Sequence, residues 1–255
     1  EAPWIERNPN ERAPLVAIVR FKASTPVTTE IAIDDGRKRR TITFGEAYNP
    51  QKGLPIIGMK ADTDHQITVA GRKGSTEAGP ASLFYRTPPL PQGTADFPRI
   101  RVLKSNPDQM EPGYTILSVR RRPVTRPIWL TPRQFEFQRD WGMLLAIDAE
   151  GEVVWTYTSN SRIAGVHRLQ NGHFFFHHVD FRSVEIDLCG NVVNQFHAAN
   201  RPWGEVENSV AIPGASLHHQ PYEMPNGNYL ALTANVREID DYYTSETNPV
   251  APRQV

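Results

Sequence analysis

The fold of this chain can be read from residues 216–235, SLHHQPYEMPNGNYLALTAN, which hold a turn between two short extended runs. The Asn-Gly pair at 226–227 supplies the positive φ values that a tight hairpin needs. The run after it, 229–233, is apolar and partly aromatic, as a buried strand is. The run before it carries two adjacent histidines, His218 and His219. This stretch predicts a β-hairpin with an imidazole pair at the start of its first strand.

The same pattern occurs earlier, in residues 162–176, where an Asn-Gly pair also precedes an apolar run. When the two Asn-Gly pairs are aligned, His218 and His219 fall opposite Ile163 and Ala164. A repeated scaffold therefore has two imidazoles where its other copy has apolar side chains. We interpret this departure from the repeat as a functional signal. The alternative is a polar strand start without chemistry.

A second hairpin is also repeated along the chain. The segment LLAIDAEGEVVW at 144–155 matches SVEIDLCGNVVN at 183–194, and each reads as strand, Asp-x-x-Gly turn, strand. The two Ile-Asp pairs, at 147–148 and 186–187, lie 39 residues apart. Four strands in roughly 40 residues is the period of a β-propeller blade. We predict one complete blade from about 165 to 196 and the start of the next at His218.

The blade count does not close a ring. An extra loop, 198–216, separates the last two predicted blades and contains Trp203. Propellers need roughly four to eight blades to remove their sheet edges, whereas residues 99–255 hold about two and a half to three. We therefore expect this chain to be the N-terminal part of a longer protein. The alternative is that the partial ring stacks on a second copy, as a homodimer.

The N-terminal part of the chain has a different pattern. Residues 13–90 contain short extended runs bounded by turn residues, with no helical periodicity between them. This pattern is typical of a β-sandwich of the fibronectin or immunoglobulin type. Residues 1–12 are predicted to be an extended arm and 91–98 a Pro-containing linker. The predicted fold class is all-β, with residues 131–137 fitting neither a helix nor a strand clearly.

Composition excludes several classes of function. The 255 residues have a formal net charge of zero, so nothing in the overall charge points to nucleic acid or an anionic membrane surface. No apolar stretch reaches 18 residues, so no membrane span is predicted. Cys189 is the single cysteine, which excludes an internal disulfide. The first residue is Glu rather than Met, so we expect a chain that has been processed or trimmed. A periplasmic or secreted location is expected as well.

Three segments resemble the bacterial arylsulfotransferases, which work without a nucleotide sulfate donor. They are EPGYTIL at 111–117, the hairpin at 144–155 and HHQPYEMPNGNYL at 218–230. The resemblance implies an N-terminal β-sandwich followed by a six-bladed propeller. It also implies that a sulfuryl group moves from a phenolic sulfate donor to a phenol acceptor through a sulfated histidine. No cofactor is implied.

The resemblance carries over one part of that machinery, onto His218 or His219, with a slight preference for His219 because it lies nearer the regular part of the strand. Gln220 stands where the family usually has Asp, and Gln cannot carry a charge. The family's later histidines and its arginine have no match here, so we expect the nucleophile beyond Val255. The competing hypothesis is a secreted binding or assembly module without catalysis.

The remaining candidates have two interpretations each. Trp203 and Tyr222 either stack on an aryl substrate or pack in a core, and the sequence favours neither. His177 and His178 are interpreted as the end of a strand. No metal site is predicted, although imidazole is a common metal ligand. No Gly-x4-Gly-Lys loop is present to cradle a nucleotide's phosphates.

Overall fold

The computed structural model describes residues 1–122, 130–243 and 250–254, with side chains described as far as Asp240. The chain forms two compact units. The first unit comprises Glu1–Asn160 and Leu188–Asn191, and the second comprises Ser161–Asp187 and Val192–Val255. Strands dominate both units, so the all-β class predicted from the sequence is confirmed. Among the described residues, no helix has the length and apolar character needed to cross a membrane.

The first unit begins with two antiparallel sheets that share one core. In chain order the strands are β1 (Trp4–Arg7), β2 (Ala17–Arg20), β3 (Thr28–Asp34), β4 (Arg39–Phe44), β5 (Leu54–Ile56), β6 (Asp64–Lys73) and β7 (Thr76–Arg86). One sheet has the order β1-β2-β5 and the other β4-β3-β6-β7. Because side chains alternate between the faces of a strand, Ile31, Ile33 and Ile67 all enter the shared core. The strand β1 lies within the segment predicted to be an arm and pairs with β2.

The described remainder of the first unit holds a smaller sheet, a short 3-10 helix (Pro107–Gln109) and an α-helix. The strands β8 (Thr115–Arg120), β9 (Gly142–Ile147) and β10 (Val153–Ser159) pair antiparallel, with β9 in the centre. The helix α1 (Pro132–Arg139) covers the segment that the sequence left undecided. Its start follows helix rules, because Thr131 and Gln134 form a capping box and Pro132 occupies the first turn.

The second unit is built around a sheet whose first four strands follow chain order. They are β11 (Ile163–Arg168), β12 (Phe174–His178), β13 (Arg182–Ile186) and β14 (Val192–Ala198), each antiparallel to the next. A short strand, β15 (Val210–Ile212), adds to β14 in parallel. The segment 198–216, predicted to be a loop, therefore contains a strand. The sequence did not indicate this strand because three residues are too few to form a recognisable pattern.

Two hairpins complete the second unit. They pair β16 (His218–Glu223) with β17 (Tyr229–Leu232) and β18 (Glu238–Tyr243) with β19 (Val250–Gln254). Both Asn-Gly pairs lie in turns between antiparallel strands, as their sequence predicts. The order β11 to β14 has the strand count of one propeller blade. No closed ring of sheets occurs within the ranges given above.

A close approach between β11 and β16 depends on a glycine. Both strands carry a bulge, since the register of β11 shifts between Ala164 and Val166 and that of β16 shifts between His218 and Tyr222. Gly165, at the first bulge, has a φ of +57°, and a Cβ there would lie 2.7 Å from the Cα of Gln220. The missing side chain therefore makes room for the backbone that follows the histidine pair.

A buried carboxylate ties the strands of the second unit together. Glu185, whose side chain is 1% exposed, accepts hydrogen bonds from Asn171 (3.0 Å), Asn194 (2.6 Å) and the hydroxyl of Tyr229 (3.1 Å). Oε1 of Glu185 also lies 2.6 Å from Nδ1 of His173. Burial alone would raise the pKa of Glu185, but these hydrogen bonds outweigh burial and hold the pKa below its usual value.

We predict that Gly165→Ala destabilises the protein more than Gly227→Ala does. Both glycines have positive φ, so both substitutions strain the backbone by about 1 kcal/mol. At Gly165 the new Cβ also meets backbone atoms, those of Gln220, whereas at Gly227 no described atom lies within 4 Å. Urea unfolding of the two variants measures the difference. Equal losses of stability would show that β16 does not depend on the space at Gly165.

Replacing Glu185 should be more damaging than replacing an exposed glutamate. In Glu185→Ala the side chains of Asn171, Asn194 and Tyr229 lose their hydrogen bonds to a charged acceptor, each worth about 1.5–3 kcal/mol. Glu205→Ala, at an exposed position of the same unit, is the matched control. The free energy of unfolding from urea titrations should fall by several kcal/mol only in the first variant. A change within about 0.5 kcal/mol, as surface substitutions give, would contradict the role of Glu185.

Candidate functional site

Strand ends bring basic side chains together at one edge of the second unit. In the meander, β11 and β13 begin where β12 and β14 end, as the pairs Ile163 with His178 and Arg182 with His197 show. Strand β16 starts beside them. We call the basic side chains at this edge the basic edge; they are Arg162, His177, His178, Arg182, His197, Arg201, His218 and His219.

The histidine pair lies at the start of β16. His218 is half-buried and pairs with Leu232, whereas His219 is exposed and has a φ of +63°. The two rings meet edge to face, with centroids 5.0 Å apart and planes at 72°. A left-handed φ interrupts the alternation of a regular strand. The two rings therefore contact each other instead of pointing to opposite faces.

The structure changes the reason for choosing between the two histidines. The sequence preference for His219 relied on its lying nearer the regular part of the strand. In the structure His218 occupies the ladder position, and the register shift that follows it leaves His219 outside the ladder. That reason is therefore wrong. The geometry gives His218 the firmer backbone and His219 the greater exposure, and the assignment of either to function stays a prediction.

The other sequence candidates lie around the pair. Gln220 is exposed, and its backbone lies over Gly165. Tyr222 is exposed and packs against His167, with ring centroids 5.0 Å apart. Trp203 packs against Phe181 at 5.3 Å. No ring contact joins either aromatic side chain to the histidine pair in the described ranges, so the structure groups Trp203 and Tyr222 with other partners.

His177 joins the site, although the sequence indicated only a strand end for it. It is the penultimate residue of β12, its exposure is 4%, and its Nδ1 has no hydrogen-bond partner among the residues described. Burial, together with the nearby His218 and His219, lowers the pKa of His177 to about 4, although a hydrogen bond from the ring to the backbone of Arg182 acts in the opposite direction. A neutral imidazole therefore lies beside the histidine pair at neutral pH.

This arrangement suits an anion with several oxygens. Imidazoles and guanidinium groups donate hydrogen bonds to such oxygens and stabilise negative charge that develops on them. An imidazole that is partly protonated near neutral pH can also give a proton to a leaving oxygen. In the ranges with described side chains, no three His, Cys, Asp or Glu residues come together in a way that could hold a metal ion.

His177 gives the protein a specific loss of stability in acid. Its pKa is about 4 when folded and about 6.5 when unfolded, so only the unfolded chain takes up this proton between those values. The free energy of unfolding therefore falls as the pH drops from 6.5 to 4, by about 3 kcal/mol. In His177→Gln the loss between pH 7 and pH 4.5, measured by urea unfolding, should shrink by most of that amount. An unchanged acid loss would contradict the burial of a neutral imidazole.

Two family models match the sequence, over residues 4–80 and 99–249. No curated protein matches the sequence. The family model described as arylsulfotransferase (ASST) matches residues 99–249, which is more than half of the chain. The model described as arylsulfotransferase Ig-like domain matches residues 4–80, over the two sheets at the N-terminus. The chain therefore belongs to the arylsulfotransferase family, with an Ig-like domain at its N-terminus.

Proposed function

We propose that this chain contributes to a site that moves a sulfuryl group from a phenolic sulfate to a phenol. Membership of the arylsulfotransferase family supports sulfuryl transfer and phenolic substrates. The observation that carries the proposal is the grouping of His218 and His219 with the buried His177. Three imidazoles at one edge can donate hydrogen bonds to a sulfuryl group and exchange protons with a phenol.

The proposed reaction has two steps. A histidine nitrogen attacks sulfur, the bond from sulfur to the phenolic oxygen breaks, and the leaving phenolate takes a proton from an imidazolium. The acceptor phenol then gives its proton to the imidazole that protonated the leaving phenolate. The phenol oxygen attacks sulfur, and the nitrogen–sulfur bond breaks. We assign the acid and base role to His218 and contacts with the sulfuryl oxygens to His219. The neutral imidazole of His177 is assigned a hydrogen-bonding role next to the pair. The nucleophilic nitrogen is left unassigned.

The proposal includes a propeller as the scaffold. The strands β11 to β14 form a four-stranded antiparallel meander, and the next hairpin begins at His218. The repeat of 39 residues between Ile-Asp pairs supports the same arrangement. In a propeller the starts of equivalent strands converge on one axis, which would bring further blades to the basic edge. A periplasmic or secreted location is part of the proposal and is supported by the family resemblance alone.

Gln220 supports a second candidate, a binding module without catalysis. The family usually has Asp at this position, and an amide cannot stabilise an imidazolium as a carboxylate does. A protein of this kind would hold phenolic sulfates at the basic edge without turnover. The two candidates differ in a single measurable property, which is the release of phenol from a bound aryl sulfate.

The test is the activity of histidine variants in the protein as its gene encodes it. With 4-nitrophenyl sulfate as donor and a phenol as acceptor, His218→Asn should lower kcat by about 10²–10⁴-fold, since it removes an acid–base group. His219→Asn should lower kcat less, because its exposed ring contributes oxygen contacts alone. His167→Asn, which removes an imidazole that packs on Tyr222, is the control and should leave kcat within about threefold.

Two outcomes would contradict the proposal. If His218→Asn and His219→Asn both keep kcat within about threefold of the parent and remain folded, the pair is structural. If the parent binds 4-nitrophenyl sulfate but never releases 4-nitrophenol, the binding module is favoured. Release of one equivalent of 4-nitrophenol without acceptor would instead support the covalent intermediate.

A further inference from the structure

Two arginines of the basic edge converge on one carboxylate. Nε of Arg182 donates to Oδ2 of Asp180 at 2.8 Å, and Nη2 of Arg201 lies 3.8 Å from the same oxygen. Asp180 is the one carboxylate that either guanidinium contacts among the described residues. The Arg201 side chain is 7% exposed. Two guanidinium charges therefore share one negative charge in a partly buried cluster, and buried charges are normally paired.

The hydrogen bonds of this cluster are incomplete. Nε and Nη1 of Arg201 and Oδ1 of Asp180 are buried and lack hydrogen-bond partners within the described ranges. Arg182 uses a second nitrogen on Gln195, at 3.2 Å, so its own donors are partly occupied. A buried donor without an acceptor is costly. Within the described ranges the unused donors of Arg201 therefore outnumber the one unused acceptor, Oδ1 of Asp180, and the surplus positive charge favours an anionic acceptor.

Two aromatic rings lie next to the unused guanidinium. Cζ of Arg201 lies 5.4 Å from the ring centroid of Trp203, and Trp203 packs on Phe181 with centroids 5.3 Å apart. Trp203 is 45% exposed, so part of its ring is free to contact a ligand. Phe181 has a φ of +62°, which is a true outlier for a bulky side chain. This φ belongs to the tight turn between β12 and β13, and the turn directs the Phe181 ring toward Trp203.

We propose that Arg201, Arg182 and Trp203 form a binding site for an aromatic oxyanion, separate from the histidine pair. The oxyanion accepts hydrogen bonds from Nε and Nη1 of Arg201, and the ligand's ring stacks on the exposed part of Trp203. Both nitrogens are covered without ligand, so binding requires a side-chain rotation at Arg201 or Trp203. The inference rests on the proposed function only for naming an aryl sulfate as the ligand. A sulfonate has the same chemistry.

Binding can be followed at Trp203 itself. The indole N–H signal that disappears from the nitrogen–proton NMR spectrum in Trp203→Phe belongs to Trp203. In the parent, titration with 4-nitrophenyl sulfate or with 4-nitrobenzenesulfonate should shift this signal, and 4-nitroanisole, which has the same ring and cannot ionise, should bind at least about tenfold more weakly, the cost of about one lost charge-assisted hydrogen bond. Inorganic sulfate alone, which lacks the ring, should also bind more weakly.

Charge variants separate a binding site from a structural ion pair. Arg201→Gln should raise the Kd of 4-nitrophenyl sulfate at least about tenfold. Arg168→Gln, at an exposed arginine that ends β11, should change it less than about twofold. Asp180→Asn should lower the Kd, because it removes the competing carboxylate while its amide oxygen still accepts from Arg182. This gain of affinity cannot result from a variant that fails to fold.

The outcomes distinguish this inference from the proposed function. If the Trp203 signal does not respond to any of the ligands, or if Asp180→Asn does not tighten binding, the oxyanion site is wrong. His218→Asn and His219→Asn should leave the Kd measured at Trp203 within about twofold, since neither ring contacts Trp203 in the described residues. Loss of turnover in those variants together with a silent Trp203 would keep the function and overturn the site.

Discussion

The second unit depends on the hydrogen bonds made by one buried carboxylate, that of Glu185. A buried negative charge costs several kcal/mol unless its oxygens are satisfied. The donors come from the turn after β11, from β14 and from β17, so the charge is stable only when these elements are in register. Glu185 lies near the end of β13, and Arg182 lies at its start. The hydrogen bonds of Glu185 therefore fix the position of β13, and with it Arg182 of the basic edge, three residues earlier on the same strand.

The site also depends on aromatic packing behind that network. The ring of Tyr229 packs against Phe175 and Phe196, with centroids 4.5 and 5.8 Å apart, while its hydroxyl reaches Glu185. Burial and the neighbouring carboxylate raise the pKa of Tyr229 to about 12, so the hydroxyl remains a donor at any ordinary pH. Tyr229 thus contributes both apolar packing and a hydrogen bond. Together they hold the second hairpin, and with it the histidine pair, against the first.

Much of the fold could be predicted from local patterns. Alternating apolar residues and Asn-Gly or Asp-x-x-Gly turns are short-range signals, and they located the hairpins around Gly172 and Gly227. Strands of three residues, such as β5 and β15, carry too little pattern to be detected. The helix α1 was not recognised because its aromatic residues also suit a strand.

The candidate site was harder to predict, because it depends on which strand ends meet. His218 and His219 were found because they depart from the repeat. His177 was not, since a histidine after three phenylalanines reads as a strand end and its burial follows only from the packing of β16. Arg201 lies in a loop, and its pairing with Asp180 across the sheet has no sequence signal. Left-handed backbone at His219 likewise could not be anticipated, because the sequence suggested a regular strand.

The bulges of β11 and β16 have a consequence for how such a site can arise. The two hairpins are copies of one pattern, and each copy bends at nearly the same place, at Gly165 in one and around His219 in the other. In a duplicated scaffold, one copy can keep the glycine that leaves room for the adjacent backbone. The residues of the other copy that occupy this room can then be substituted. Divergence between the copies then introduces chemistry without altering the architecture. A glycine with no chemistry of its own thereby becomes the permissive partner of a reactive residue in the adjacent repeat.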